Sequence, residues 1–200
     1  MSTVVADISM SLDGYITGPD PSTRSGLGRS GDALHQWVFA LDSPQDHQLL
    51  EEAGARTGAA VMGRNTFDFV DGPNGWNDDI GYAYDHAPSS RPPIFVVTHQ
   101  TPTSSRLEGF SFVTEGVRAA VEAAREAAGE DEAVIMGGAS VIDQALTAGL
   151  VEVLRIHLSP VLLGAGTRLF DLVEAPILLS QADALVTQHA THLTYRLYED

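Results

Sequence analysis

The sequence predicts an α/β protein: a single-domain, three-layer αβα sandwich whose mixed, mainly parallel sheet is finished by antiparallel strands at the C-terminal end. Three short runs, at 59–62, 94–97 and 133–136, are apolar without interruption and are followed by turn or polar residues. Strands that are apolar on both faces are typical of parallel sheets covered by helices. From Val153 onward, apolar and polar residues alternate, which indicates antiparallel strands with one face toward solvent.

The elements before the first apolar run carry clear local signals. Residues 4–10 alternate between apolar and polar side chains, which predicts a β-strand. Ser43 suits the N-cap of a helix, Pro44 its first position and Asp46 its third. Gly58 then marks the end of that helix.

Two further helices and three strands are predicted in the second half of the chain. Thr114 is the predicted N-cap of a helix, and Ser140 with Asp143 has the S-x-x-D spacing of a second helix start that ends near Gly149. The apolar residues of the first helix recur at i, i+3, i+4 and i+7, namely Val117, Ala120, Val121 and Ala124. The alternating segments that predict strands are 153–158, 185–189 and 192–198.

The charge balance excludes several classes of partner. The 200-residue chain has 27 acidic and 11 basic side chains, a formal net charge of −16, and every basic residue is Arg. Phosphate backbones and anionic membranes repel such a chain, so we expect neither a nucleic-acid nor a membrane partner. The length and a hydrophobic content of 44% predict one globular domain over residues 1–200.

Neither cysteine chemistry nor a secretion signal is indicated. The absence of Cys excludes disulfides, thiolate metal sites and Cys nucleophiles. The N-terminus lacks the basic region of a signal peptide, and Asp7 interrupts its apolar stretch, so we expect a cytoplasmic protein. His189 and His192 lie at i, i+3 on a predicted strand and point to opposite faces. We therefore expect no metal site.

Two long polar segments rich in Gly and Pro, residues 18–31 and 71–93, interrupt the regular elements. Both exceed the usual length of a connection, and such loops in compact domains are often binding loops, although a surface insertion is an equal alternative. Trp76, in the second segment, is a candidate to stack on a planar heterocyclic substrate. An exposed tryptophan at a dimer contact is the alternative.

The main functional signal is that each apolar strand runs directly into small or polar residues. These are Gly63-Arg64-Asn65-Thr66, Thr98-His99-Gln100 and Gly137-Gly138-Ala139-Ser140. Ligands of open α/β sheets bind beyond the carboxyl ends of the strands, where the backbone N–H groups of the following helices point outward. A Gly-Gly turn alone is equally consistent with a tight connection. Arg64, however, adds a planar fork suited to phosphate, and the three ends together predict a nucleotide-type ligand.

Five motifs, in this order along the chain, resemble a known superfamily. They are MSLDGYITG at 10–18, VMGRNTF at 61–67, FVVT at 95–98, IMGGASVIDQAL at 135–146 and IHLSPVLLGAGTRLF at 156–170. Together they cover nearly the whole chain and are similar to the dihydrofolate-reductase-like superfamily. Within it, the chain most resembles the branch that contains the C-terminal reductase domain of the riboflavin-biosynthesis protein RibD.

The resemblance implies a dihydrofolate-reductase-like fold and an NADPH-dependent reductase that transfers hydride to a small heterocyclic substrate, either pterin-like or ribosylaminopyrimidine-like. It places the start of the chain, residues 11–18, beside the nicotinamide and the substrate. Arg64 beside a 2′-phosphate implies a preference for NADPH over NADH, and relatives commonly form homodimers. The cofactor-binding residues that the resemblance implies are Gly63, Arg64, Asn65, Thr66, Thr98, His99, Gly137, Gly138, Ala139, Ser140 and Val141.

Two carboxylates are candidates for catalysis. Asp46 corresponds to the family carboxylate on the helix that precedes the Gly-Arg strand, but it is also the helix-start partner of Ser43. Asp13 belongs to an Asp-Gly turn signal and also to the motif near the substrate pocket, so a turn and a substrate contact are both open. Two other functions also stay open: a reductase of an unrelated imine or carbonyl metabolite, and a non-catalytic nucleotide-binding or sensory protein on the same fold.

Overall fold

A computed structural model describes residues 2–40, 42–77, 81 and 91–198. Its strands are β1 (Val4–Ser11), β2 (Thr57–Gly63), β3 (Ile94–Val97), β4 (Phe110–Val113), β5 (Glu132–Ile135), β6 (Val153–Ser159), β7 (Leu179–Val186) and β8 (Thr191–Leu197). They form one eight-stranded sheet in the order β4-β3-β2-β5-β1-β6-β8-β7. Strands β1 to β6 pair in parallel, whereas β8 is antiparallel to both β6 and β7. The predicted mixed sheet with C-terminal antiparallel strands is confirmed.

Helices cover both faces of this sheet. The described residues form α1 (Gln36–Phe39), α2 (Pro44–Arg56), α3 (Arg64–Val70), α4 (Val117–Ala128) and α5 (Ala139–Thr147), with a 3-10 turn at Gly31–His35 before α1. On one face, Val121 of α4 and Ile142 of α5 join the core cluster that contains Val61. On the other face, Phe67 of α3 packs in a cluster with Met62. Since successive residues of β2 point to opposite faces, its unbroken apolar run is required by two helix layers.

The predicted start of α2 is confirmed, whereas two other helix starts were wrong. Ser43 Oγ accepts a hydrogen bond from the backbone N–H of Asp46 at 3.4 Å. Helix α4, however, begins after Gly116, whose φ of 96° makes the turn, and not at Thr114. Ser140 likewise lies inside the first turn of α5, because the helix starts one residue earlier, after Gly138.

Asp143 has a tertiary role in place of the predicted capping role. Its carboxylate is buried and accepts the backbone N–H groups of Phe170 at 3.2 Å and Leu172 at 3.0 Å. Burial raises the pKa of Asp143, and these two hydrogen bonds oppose that effect. The side chain therefore ties a distant segment to α5.

The last hairpin differs from the prediction at its turn. Strand β7 covers 179–186, and the predicted strand at 185–189 was wrong beyond residue 186. Thr187 Oγ1 accepts the backbone N–H of His189 at 3.3 Å and of Ala190 at 3.1 Å, which closes a turn between β7 and β8. Strand β7 is the exposed edge of the sheet. The homodimer that the resemblance implies stays a prediction.

The strand order decides where the functional residues meet. Strands β3, β2 and β5 are immediate neighbours and parallel, so their carboxyl ends lie side by side at one edge of the sheet. The end of β1 is the next along this edge. The three polar strand ends that the sequence singles out are therefore contiguous in space.

Candidate functional site

A cavity of about 830 Å³ opens at the edge where these strands end. All eleven residues that the sequence analysis assigned to the cofactor line its wall: Gly63, Arg64, Asn65, Thr66, Thr98, His99, Gly137, Gly138, Ala139, Ser140 and Val141. They come from the ends of β2, β3 and β5 and from the first turns of α3 and α5. The fold thus brings three separate stretches of sequence into one surface.

The glycines of this wall allow close packing around the start of α5. A Cβ atom on Gly63 would lie 3.0 Å from Val141 Cγ2, and one on Gly138 would lie 3.4 Å from Thr66 Oγ1. In the part of the chain that the structure describes, the backbone N–H groups of Ala139 and Ser140 make no hydrogen bond. Both N–H groups are free because they begin the nine-residue helix α5. Their partial positive charge would attract an anionic ligand.

Arg64 lies in the wall with its guanidinium fixed on one side. Its Nε donates to Asp68 Oδ1 at 2.7 Å, and its Nη1 donates to the carbonyl oxygen of Gln100 at 3.1 Å. The side chain of Arg64 is 38% exposed, so the cation remains accessible from the cavity mouth. The carboxylate of Asp68 offsets part of that charge.

The other half of the wall is more apolar and contains the expected aromatic residue. Trp76 lies there, 6.4 Å from the ring of Phe110, with the Arg91 guanidinium 5.5 Å above its indole. Pro21 and Leu27, from the first long loop, also line the cavity. Of the second long loop, residues 78–80 and 82–90 lie outside the described part of the chain.

His35 contributes an imidazole to this half of the wall. Burial, together with the charge of His157, lowers the pKa of His35 to about 4, against the opposing effect of Asp32. The ring is therefore neutral at pH 7. Sequence reasoning did not single out His35, because no motif surrounds it.

The two candidate catalytic carboxylates do not line this cavity. Asp46 has no exposed surface, and its Oδ1 lies 2.8 Å from Nε2 of His192. Asp13 accepts hydrogen bonds from the Ser11 hydroxyl at 2.6 Å and from the backbone N–H of Gly164 at 2.7 Å. The structure thus gives Asp46 and Asp13 structural contacts and places both away from the predicted cofactor residues.

Asp13 does form the predicted turn. The backbone N–H of Gly14 donates to the carbonyl of Ser11 at 3.0 Å, and Gly14 has a φ of 89° that favours glycine. The hydrogen bond from Ser11 lowers the pKa of Asp13 to about 2, with further contributions from the backbone of Gly164 and Leu163. The ionised carboxylate thereby ties this turn to the loop after β6.

A row of polar side chains, all but one of them buried, lies on the α2 side of the sheet. Sequence reasoning considered Asp46 for catalysis and His192 for metal binding, but it missed the contacts that join the row. His157 Nε2 lies 2.8 Å from Asp7 Oδ1, and the Nδ1 atoms of His157 and His192 are 2.7 Å apart. His192 Nε2 then contacts Asp46. We call this row of four side chains, Asp7, His157, His192 and Asp46, the Asp-His-His-Asp chain.

Proton counting defines the charge of the Asp-His-His-Asp chain. Each of its three contacts needs one hydrogen, and ionised carboxylates supply none. Burial acts to raise the pKa of Asp7, but the charge and hydrogen bond of His157 outweigh it, and the pKa is lowered. Burial also acts to raise the pKa of Asp46, but the hydrogen bonds from Ser43 and His192 outweigh it, so this pKa is lowered as well. Three hydrogens on two imidazoles give the pair one positive charge between two carboxylates.

Comparison with known proteins gives the family. The family model of the RibD C-terminal domain matches residues 2–193, almost the whole chain. The chain belongs to the RibD C-terminal domain family. Membership implies an oxidoreductase of the RibD reductase type. No curated protein matches the sequence.

Solved structures share the fold of this RibD C-terminal domain. A protein of Shewanella sp. PV-4 assigned to riboflavin biosynthesis is 24% identical, with a TM-score of 0.69 and complete coverage of both chains. A pyrimidine reductase-like protein of Corynebacterium diphtheriae is 14% identical, with a TM-score of 0.61, 100% of this chain and 93% of that one covered.

A longer solved structure shares this fold over part of its length. The diaminohydroxyphosphoribosylaminopyrimidine deaminase/5-amino-6-(5-phosphoribosylamino)uracil reductase of Thermotoga maritima is 13% identical, with a TM-score of 0.62. The match covers 98% of this chain but only 57% of the Thermotoga protein. At these identities the structural neighbours show the fold alone.

The described residues contain neither a candidate membrane span nor a candidate metal site. None of the described helices has the length and apolar character needed to cross a bilayer. Within the same residues, no group of three or more His, Asp or Glu side chains is placed to hold a metal ion.

Proposed function

We propose that this chain is an NADPH-dependent reductase that transfers hydride to a small heterocyclic substrate with a pyrimidine-like ring. Family membership supports a reductase, and the Thermotoga neighbour is named for a uracil derivative. The observation that carries the proposal is that all eleven expected cofactor residues lie in the wall of one cavity.

The wall fits a dinucleotide phosphate. The free N–H groups of Ala139 and Ser140 would hold pyrophosphate oxygens, and Gly138 leaves room for the backbone to approach them. Arg64 would hold the 2′-phosphate with the donors that Asp68 and Gln100 leave available. In a chain with a net charge of −16, this attraction has to be local.

The protein's part in the reaction is to bind, orient and exclude water. When bound, NADPH supplies the hydride. The apolar half of the wall, which includes Ile8, Ile16 and Trp76, would hold the substrate ring against the cofactor half and keep water from the reacting carbon. We assign no proton transfer to Asp46 or Asp13, because neither side chain lines the cavity.

The experiment titrates the wild-type protein and the Arg64→Ala variant with NADPH and with NADH. Tryptophan fluorescence reports the binding in each titration. Loss of a charge-assisted hydrogen bond costs about 1.5–3 kcal/mol. We therefore expect the preference for NADPH over NADH to fall by at least about tenfold, while NADH binding changes little. Asp68→Asn should act in the opposite direction and tighten NADPH binding.

Arg118→Ala is the matched control, because Arg118 is exposed on α4 and donates to the carbonyl of Ala148 away from the cavity. It should leave both affinities unchanged. An unchanged preference in Arg64→Ala would reject the role of Arg64. Failure of the wild-type protein to bind either nucleotide would reject the cofactor assignment.

Turnover is tested by following the NADPH absorbance with a ribosylaminopyrimidine, dihydrofolate and a panel of imines. Oxidation with the ribosylaminopyrimidine is the expected result. Oxidation only with imines would favour a reductase of an unrelated metabolite. Tight NADPH binding without oxidation across the panel would favour a nucleotide-binding protein without turnover.

A further inference from the structure

Ser9 is a buried hydroxyl in the wall of the cavity, near the end of β1. It is 5% exposed and lies outside the set of expected cofactor residues. Its Oγ accepts a hydrogen bond from the indole Nε1 of Trp37 at 2.9 Å. No motif in the sequence marks either residue.

The contact with Trp37 fixes the direction of the Ser9 hydroxyl. An indole N–H is only a donor, so it occupies a lone pair of Ser9 Oγ and leaves the hydroxyl hydrogen to be donated elsewhere. Among the described residues, the Ser9 side chain makes no other hydrogen bond. A buried hydroxyl hydrogen without an acceptor is unfavourable, and the cavity is the space where an acceptor can be supplied.

Trp37 is itself rigidly held. Its indole is 5% exposed, and its ring centroid lies 4.2 Å from that of His157 and 5.0 Å from that of His192. Both imidazoles are anchored at their outer nitrogens by Asp7 and Asp46. The two imidazoles of the Asp-His-His-Asp chain therefore hold the indole in place by packing against it. The indole N–H in turn orients the Ser9 hydroxyl.

His35 offers a second polar contact in the same part of the wall. Its imidazole makes no hydrogen bond within the part of the chain that the structure describes. A neutral imidazole presents one donor and one acceptor, which suits an uncharged polar ring better than a phosphate.

We propose that Ser9, oriented by Trp37, donates a hydrogen bond to a carbonyl or ring nitrogen of an uncharged substrate ring, with His35 as the second polar contact. This inference rests on the proposed reductase function and names the residues that select its substrate. Ser9 and His35 touch the substrate, whereas Trp37 is a positioning residue. The cofactor residues at the ends of β2, β3 and β5 take no part in this selection.

The test is calorimetric binding of 5,6-diaminouracil to the protein already saturated with NADPH. Ser9→Ala should weaken binding of the ring by at least about tenfold, while NADPH affinity, measured on the same samples, stays within about twofold. Ser9→Thr keeps the hydroxyl and should restore most of the binding. Trp37→Phe keeps an aromatic ring but removes the N–H, and should give a smaller loss than Ser9→Ala.

Ser159→Ala is the matched control. Ser159 is also buried on this face of the sheet, but its hydroxyl donates to the carbonyl of Leu34 at 2.8 Å and it does not line the cavity. It should lower stability without changing affinity for the ring. A role of Ser9 that is merely structural would affect NADPH and the ring alike, and Ser9→Thr would not rescue it.

Three results would separate this inference from the function on which it rests. Equal binding of 5,6-diaminouracil to wild type and Ser9→Ala, or no binding to the wild type up to millimolar concentration, would overturn the assignment of Ser9. Ring binding that depends on Ser9 in a protein that ignores NADPH would support Ser9 and reject the proposed cofactor.

Discussion

We call the eleven expected cofactor residues at the ends of β2, β3 and β5 the rim of the cavity. The rim and the Asp-His-His-Asp chain belong to one sheet but are built in different ways. The rim uses neighbours in sequence, such as Gly63–Thr66 and Gly137–Val141, and offers backbone N–H groups together with polar side chains to the cavity. The Asp-His-His-Asp chain joins side chains that are 150, 35 and 146 residues apart. Backbone loops shape the rim, whereas long-range charge pairing holds the Asp-His-His-Asp chain.

This difference teaches where stability and binding should separate. Rim groups line the cavity, and the hydrogen bonds of Arg64 to Gln100 and of Ser140 to Gln144 are exposed, so the loss of these groups should affect ligand binding more than folding. The groups of the Asp-His-His-Asp chain are hydrogen-bonded to one another, and all except Asp7 are buried, so the loss of one leaves a polar group without its partner. Arg155 extends this pairing, since it binds Glu132 at 2.6 and 2.7 Å and lies 3.9 Å from Asp7.

Asp46→Ala should have the largest effect on stability. It removes the carboxylate that accepts from His192 Nε2 and leaves a buried N–H of the positively charged imidazole pair without an acceptor; removing one partner of such a buried pair costs about 3–5 kcal/mol. Urea unfolding at pH 7 measures the loss. Asp46→Asn, whose amide oxygen can still accept from Nε2, should lose less and serves if the alanine variant does not fold.

Glu51→Ala is the control on the same helix, because Glu51 is exposed on α2. Its unfolding free energy should stay within about 0.5 kcal/mol of wild type. Equal stabilities for Asp46→Ala and Glu51→Ala would mean that the Asp-His-His-Asp chain does not support the fold.

Acid should weaken the buried region next. The folded-state pKa of His35 is about 4, below its ordinary value near 6.5, so its contribution is complete above pH 6.5 and is lost as pH falls toward 4. Burial and the charge of His157 also lower the pKa of His192, because a second proton would place hydrogens on both facing Nδ1 atoms. The lowered pKa of His192 should therefore also make the free energy of unfolding fall as the pH falls.

The measurement is urea unfolding at several pH values between 7 and 4.5. We expect the wild-type free energy of unfolding to fall by on the order of 2 kcal/mol across this range. His35→Asn should flatten the dependence, whereas His47→Asn, on α2 and without a hydrogen bond to its ring in the described part of the chain, should not. A flat wild-type profile would contradict the linkage.

Ser140→Ala should have the smallest effect on stability. In contrast to Asp46→Ala, it should change NADPH binding more than it changes stability. The hydroxyl lies at the rim and accepts from Gln144 Nε2 at 2.9 Å on an exposed helix turn, so stability should change by less than about 0.5 kcal/mol. The hydroxyl keeps its own hydrogen, which would be donated to a pyrophosphate oxygen beside the backbone N–H, so its loss should weaken NADPH binding by about fivefold, the equivalent of one neutral hydrogen bond. Thr147→Ala, at the far exposed end of α5, should change neither quantity.

The comparison of stability and binding in these variants decides whether the two regions are separate. A loss of stability in Ser140→Ala, or a loss of NADPH affinity in Asp46→Asn as large as its loss of stability, would join them into one unit. The expected pattern keeps folding and cofactor binding apart, while Trp37 and Ser9 connect the Asp-His-His-Asp chain to the substrate half of the wall.

Much of the fold follows from local pattern. The apolar run at 94–97 is strand β3 to the residue, and Ser43 with Pro44 starts α2 as predicted. Thr114 misled because Gly116, whose positive φ makes the actual turn, outweighs a good capping side chain two residues earlier. Asp143 misled because its acceptors are used by a segment about 30 residues away, which no helix-start pattern records.

The rim could be predicted and the substrate half could not. Polar residues at parallel strand ends must meet whenever those strands are neighbours, so Arg64, Thr98 and Gly138 were found without knowing the full topology. Ser9 and His35 carry no such signal. Their place in the wall depends on how the 3-10 turn and α1 pack over the end of β1, which is a tertiary event.

The sequence by itself therefore determined the α/β class, the order of most elements and the strand-end rim, because hydrophobic periodicity and turn residues act over a few positions. Only the tertiary structure decided that His157 faces His192, with Asp7 and Asp46 at either end. That meeting depends on the parallel register of β1 with β6 and the antiparallel register of β6 with β8. A shift of one residue in either pairing would turn these side chains to the other face.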